Sequence, residues 1–274
     1  MFEEILKNVQ EKTPLVHSIT NYVTVNDCAN IILACGGSPI MADDINEVED
    51  ITSICNTLVI NIGTLNERTI DSMIKAGKKA NELKHPVILD PVGAGASKFR
   101  NDTVKKLLSA VNFSVIRGNI SEIKAVNAGS GTTKGVDTDI NDAVSNDNLK
   151  EVVSFAKALS QKTGAIIAIT GAIDIVADSQ KAYIIKNGTS AMSKITGTGC
   201  MLTTVIASFC GGNYDNLLDS TACAVSAMGI CGELALEKVT KLDEGTSSLR
   251  TYIIDYMSKI NSSILNKKMK IETI

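Results

Sequence analysis

The feature that most limits what this chain can fold into is a series of short apolar runs, each stopping at a polar or glycine-rich turn. Thr57–Ile62 (TLVINI) stops at Gly63, and Pro86–Leu89 (PVIL) stops at Asp90-Pro91-Val92-Gly93. Phe113–Ile116 stops at Arg117-Gly118-Asn119, and Ala165–Ile169 (AIIAI) stops at Thr170-Gly171. Continuous β-rich apolar runs are what strands buried on both faces look like. Between them lie segments of helical period, at Glu67–Leu83, Ser121–Ala128 and Asn148–Gln161. Strands alternating with helices predict a parallel sheet covered on both faces. After Thr170, Ile173–Ala177 and Ala182–Ile185 read as a hairpin, and most of the remainder as helix. The stretch from Gly129 to Asn148, rich in Gly, Thr, Asp and Asn, reads as a loop or surface insertion.

Length and composition fit this reading. A chain of 274 residues with 44% hydrophobic and 21% charged residues can bury a substantial core, and no interdomain linker is evident, so residues 1–274 are expected to form a single domain. A net charge of −3 gives no basic excess for nucleic acid or a membrane surface. Aromatic residues at 4%, with no Trp, argue against stacking platforms for sugars or bases. The cysteine count of 7 is odd, and the cysteines sit mostly among aliphatic residues, which suits a reducing cytoplasm. With only 2 histidines, His17 and His85, a zinc site is not expected. The charged N-terminal FEEILKNVQEK is no signal peptide, and the uncharged stretches near 199–214 and 220–232 fall short of the ~20 apolar residues a membrane helix needs.

The topology locates a site. Ligands of open parallel sheets bind beyond the carboxyl ends of the strands, where Asn61, Asp90, Arg117 and Thr170 fall. The strongest local signal is Thr196-Gly197-Thr198-Gly199-Cys200 followed by MLTTVIASF. A glycine turn opening an apolar helix presents free N–H groups and a favourable dipole to an anion, so Gly197, Thr198 and Gly199 are a candidate anion hole. No Walker motif is present, and Leu202 occupies the place of the third glycine of a dinucleotide fingerprint. At the helix start the Cys200 thiol is expected to have a lowered pKa, as nucleophile, base or hydroxyl partner. Asp90 at its strand end suits Mg²⁺ or a turn. Asn119-x-x-Glu122 suits a metal or a capping box. Arg117, ending a buried strand, calls for an anionic partner such as phosphate. In Val16–Met41, a helix opened by Asn21, Thr24 and Asn26 ends at Cys35-Gly36-Gly37. Met41 beyond it suits either core or an apolar pocket, and Asp43–Asp50 reads as solvated surface.

Together VHSITNYVTVNDCAN from Val16, GGSPIMADDINE from Gly36, LDPVGAGAS from Leu89, VIRGNISEI from Val115 and TGTGCM from Thr196 carry a resemblance. The chain resembles the hydroxyethylthiazole kinases, thiamin-salvage enzymes of the ribokinase-like superfamily. The resemblance implies an α/β, layered αβα ribokinase-like fold with a mostly parallel central sheet. It implies ATP-dependent phosphorylation of the primary alcohol of 4-methyl-5-(2-hydroxyethyl)thiazole. It assigns the thiazole to Met41, the Gly197 backbone and Asn21, and the nucleotide phosphates to Arg117 and Thr170. It gives Mg²⁺ to Asp90 and Glu122. It implies a cytoplasmic homotrimer with sites at subunit boundaries, and Ser220–Gly232 would suit a close-packed core or a subunit contact. Cys200 stands where the broader superfamily usually has a catalytic Asp, and the thiazole kinases are similar to this chain in having Cys there. The competing readings are a kinase for a pyrimidine or other small alcohol, an ADP-dependent dehydratase, and a nucleotide-binding protein without chemistry.

Overall fold

The protein is described by a computed structural model that covers residues 1–128 and 144–274 in detail. Most of the 129–148 segment, read above as a loop or insertion, lies outside the described residues. The apolar runs form strands β3 (Thr57–Asn61), β4 (Val87–Asp90), β5 (Val115–Asn119) and β6 (Ile166–Thr170). Two strands precede them, β1 (Leu15–Ile19) and β2 (Ser38–Ile40). The hairpin forms as β7 (Asp174–Ala177) and β8 (Ala182–Ile185), and β9 (Ile271–Thr273) completes the sheet. The order is β2-β1-β3-β4-β5-β6-β7-β8-β9, parallel through β6 and antiparallel after it.

Successive side chains of a strand point to opposite faces, so each apolar run divides between two cores. Val59, Ile88, Val115 and Ala168 face one, while Leu58, Ile60, Leu89, Ile116 and Ile167 face the other. The first face is covered by helices α1 (Phe2–Lys12), α2 (Val25–Ala34), α8 (Thr198–Gly212), α9 (Leu217–Leu242), α10 (Thr246–Met257) and α11 (Ser262–Lys268). The second is covered by α3 (Val48–Ile54), α4 (Glu67–Glu82), α5 (Lys98–Ala110), α6 (Ile120–Ala128) and α7 (Leu149–Thr163). The result is the layered αβα arrangement expected.

Local chemistry sets the helix bounds. Asn66 caps α4 by accepting from the Thr69 N–H at 3.1 Å, and the helix then buries Ile70, Met73, Ala76, Gly77 and Ala80 at helical spacing. After α2, Gly36 takes φ +98°, a backbone region that favours glycine and stops the helix where the sequence predicts. The Asp43–Asp50 stretch is not surface throughout, because Val48 is buried where α3 begins. In α9 the Ser220–Gly232 segment is buried within the chain's own core. By length and composition α9, with 26 residues, could cross a membrane, longer than the sequence suggested, but 72% of its apolar window is buried inside the protein.

Candidate functional site

Register brings the polar strand ends side by side. Asn61 on β3 pairs with Asp90 on β4, and Asn119 on β5 pairs with Thr170 on β6. Helix α8 starts across from them. Gly197 sits at φ +87°, and a Cβ there would meet Thr24 Cγ2 at 2.5 Å. Among the described residues no side chain caps α8, so the first-turn N–H groups that follow Gly197 are left to an incoming anion.

Asp90 is fully buried. Its Oδ2 accepts from Asn61 Nδ2 at 2.8 Å and Thr203 Oγ1 at 2.9 Å. Among the described residues its Oδ1 has no hydrogen-bond partner, and Arg117 Nη1 stands 3.7 Å away. Burial raises the Asp90 pKa, against the pull of the Arg117 charge. Arg117 also donates from Nη2 to Thr170 Oγ1 at 2.6 Å. Gly199 lies under this guanidinium, where a Cβ would come within 2.5 Å of Nη1.

Glu122 forms the capping box. Its N–H donates to Asn119 Oδ1 at 2.8 Å, and its Oε2 accepts from the Asn119 N–H at 2.9 Å. Its Oε1 accepts from the Gly93 N–H at 2.8 Å, fixing the turn after β4. Burial, then the nearby Asp90 charge, raises its pKa to about 7.

The Cys200 sulfur accepts from Asn21 Nδ2 and Asn61 Nδ2, each at 3.3 Å. Its pKa is raised, first by burial and then by Asp90. This corrects the lowered thiol expected at a helix start, because desolvation and a carboxylate outweigh the helix dipole in a site of 9% exposure.

Two cavities flank the α8 start. One of about 560 Å³ is lined by Arg117, Asn119, Thr170, Asp174, Thr198 and Gly199, among others. The other, of about 300 Å³, is lined by Met41, Asn21 and Asn61 with Tyr22, Thr69 and Met73 among others. The structure therefore brings Arg117, Thr170, Thr198 and Gly199 to one cavity and Asn21 and Met41 to the other. Asp90, Glu122 and Cys200 line neither of these two cavities. Gly197 lines neither cavity and packs on Thr24 instead.

Three polar residues here escaped the sequence reading. Thr203 was hidden in the apolar run of α8. Asp174, read only as part of a hairpin, lines the larger cavity, accepts from the Gly171 N–H at 2.8 Å and is raised by burial to about 7. Asn187 lines the same cavity and had no signal beyond being polar after β8.

A model of the hydroxyethylthiazole kinase family matches residues 6–263. The hydroxyethylthiazole kinase of Clostridium acetobutylicum is 61% identical over 273 residues, covering 100% of both chains. Among solved structures, the hydroxyethylthiazole kinase protein of Pyrococcus horikoshii OT3 superimposes with a TM-score of 0.88 at 33% identity, covering 100% of this chain and 98% of that one. A ribokinase-like superfamily protein of Enterococcus faecalis V583 shares the fold, with a TM-score of 0.62 at 12% identity over 93% of this chain and 88% of that one.

Proposed function

This chain belongs to the hydroxyethylthiazole kinase family, and on that premise we propose how its own residues carry the reaction. The enzyme is a transferase that phosphorylates hydroxyethylthiazole with ATP as the phosphoryl donor. The observation that carries the residue assignment is the position of Cys200. Its sulfur is held by Asn21 and Asn61, which line the Met41 cavity, while Gly199, one residue earlier, lines the Arg117 cavity. Alcohol and nucleotide are thereby given opposite sides of one helix start.

In this reading Met41 and Asn21 hold the thiazole, and the Gly197 turn backs Thr24. Arg117 and Thr170 bind phosphate oxygens, and the uncapped N–H groups of Thr198 and Gly199 donate hydrogen bonds to the oxygens of the phosphoryl group as it passes to the alcohol. Phosphoryl transfer has a loose transition state, so positioning and charge neutralisation matter more than a strong base. A protonated Cys200 suits that demand: it orients the hydroxyl, whose proton passes to an oxygen of the transferred phosphoryl group.

Mg²⁺ fits these residues. Asp90 Oδ1 is buried without a hydrogen-bond partner, whereas both Glu122 oxygens already accept backbone N–H groups. Asp90 would hold the ion with Glu122 reaching it through water, as Mg²⁺ keeps several waters and uses few carboxylates. Bound there, the ion would neutralise charge on the phosphates.

The enzyme works in thiamin salvage in the cytoplasm as a homotrimer, in this proposal. Seven free thiols support a reducing compartment. Exposed Tyr22 and Val23, at 80% and 57%, support a subunit boundary beside the Met41 cavity. ADP release with hydroxyethylthiazole, hydroxymethylpyrimidine and ribose tests the substrate assignment. Turnover confined to the thiazole is expected, and turnover of the pyrimidine in its place would overturn the Met41 pocket.

A further inference from the structure

We propose that Asn61 is a positioning residue for the phosphoryl transfer, acting by locking the Cys200 sulfur to the end of β4. The inference rests on the reading that Cys200 faces the acceptor hydroxyl. It begins from a count of hydrogens. A carboxamide has two N–H donors and one acceptor oxygen. Asn61 uses all of them. One Nδ2 hydrogen goes to Asp90 Oδ2 at 2.8 Å and the other to Cys200 Sγ at 3.3 Å. Its Oδ1 accepts from the Gly63 N–H at 2.8 Å and from Asn21 Nδ2 at 3.0 Å.

The amide can point only one way. A flipped Asn61 would set its oxygen against the Asp90 carboxylate and its NH₂ against two donors. Asn21 is fixed in turn, because its Oδ1 accepts from the Thr24 N–H and hydroxyl, each at 3.1 Å. Asn21 also packs on Gly63, where a Cβ would meet its Nδ2 at 2.8 Å. At the far end Thr203 donates to the same Asp90 oxygen at 2.9 Å. The sulfur is thus tethered by two amides from separate segments, β3 and the turn before α2, and Asn61 bridges it to the buried carboxylate, which the thiol itself also approaches. An amide whose every donor and acceptor is used in this way fixes the geometry of its partners tightly.

The test compares Asn61→Ala, Cys200→Ala and the double variant for kcat, thiazole KM, nucleotide affinity and melting temperature. If Asn61 acts through the sulfur, Asn61→Ala lowers kcat by about 10–100-fold, as loss of a supporting shell typically does, with thiazole KM and nucleotide affinity changed by less than about threefold. The double variant should then be no slower than the slower single one, because the two residues act as a unit. Multiplication of the two losses would overturn the inference while leaving Cys200 in its role. Unchanged kcat in Cys200→Ala would remove the underlying reading and the inference with it. A raised thiazole KM at constant kcat would make Asn61 a pocket wall and nothing more. Should Asn61→Ala fold poorly, Asn61→Asp runs the same cycle. It keeps the shape and the acceptor for Gly63 and Asn21 but loses the amide donors, so wild-type kcat in this variant overturns the proposal.

Discussion

The guanidinium of Arg117 lies against Gly199, leaving room for no side chain there: a Cβ on residue 199 would stand 2.5 Å from Nη1. The arginine reaches this place by donating to Thr170 Oγ1 while facing Asp90. Gly199→Ala must push the tip of Arg117 aside, and that tip is the flexible end of a long side chain. The fold should survive, and ATP affinity should fall. Arg117→Ala should fall further, by roughly 10–100-fold, the worth of a charge-assisted bond of about 1.5–3 kcal/mol. Calorimetric titration with a non-hydrolysable ATP analogue reads both. Unaltered affinity in Arg117→Ala would take it out of the nucleotide site.

A second arginine holds the site from beneath. Arg100 donates to the carbonyls of Ile62 at 2.5 Å, Gly63 at 2.7 Å and Val92 at 2.6 Å, clamping the turns that follow β3 and β4. Burial lowers its pKa, so these carbonyls bear the cost of keeping its charge inside. Arg100→Ala should lower unfolding stability by about 2–4 kcal/mol in urea titration. Arg100→Lys should recover only part, because one ammonium cannot reproduce the planar fork across two loops. Full recovery by lysine would show that charge alone suffices.

The raised Cys200 pKa predicts a pH profile as well as a rate. A thiol above its ordinary value is protonated at neutral pH, so its ionisation should not govern kcat between about pH 6 and 8. Cys200→Ser keeps a hydroxyl-orienting group and should retain most of kcat. Cys200→Ala should lose about tenfold or more, some 1.4 kcal/mol of transition-state stabilisation. Cys200→Asp should stay active, with an acidic limb added to the profile. A wild-type limb that vanishes in Cys200→Ala would restore the thiolate to the mechanism.

How far the sequence foretold this arrangement depends on whether chemistry or register decided the matter. TLVINI, PVIL and AIIAI were legible as strands because both faces of β3, β4 and β6 are buried, leaving PVIL and AIIAI wholly apolar and TLVINI polar only near its two ends, at Thr57 and Asn61. Strand β1 was not, because His17 and Ser18 interrupt its apolar pattern while being buried themselves. The polar strand ends could be listed from their turns, but what joins them could not. That Asn61 meets both Asp90 and Cys200 needs the β3–β4 register and the α8 position together. Thr203 reads as part of an apolar helix, and only the structure turns its hydroxyl toward Asp90. The choice between cap and metal at Glu122 also lay beyond spacing alone, and the reciprocal bonds with Asn119 establish the cap.

Buried titratable groups make the fold itself sensitive to pH, in two opposing directions. His17 is held between Thr52 Oγ1 and the Ala42 carbonyl, each at 2.9 Å, and burial lowers its pKa below 6.5. The unfolded chain therefore binds the extra proton more readily, so the His17 contribution is present above about pH 6.5 and is lost as pH falls through its folded value. Glu122 behaves in reverse. Its folded value of about 7 lies above the ordinary 4.5, so the folded protein holds the extra proton in that window. Its contribution is present below pH 4.5 and is lost as pH rises toward 7. Asp174, also raised to about 7, adds to the second slope. Urea midpoints measured in steps between about pH 5 and 7 should separate the two effects. Glu122→Gln removes one descending part and should make stability fall less, or rise, with pH. His17→Gln removes the ascending part and should make the descent steeper. Parallel curves for wild type and His17→Gln would mean that His17 carries the same charge in the folded and unfolded chain, contrary to what its burial requires.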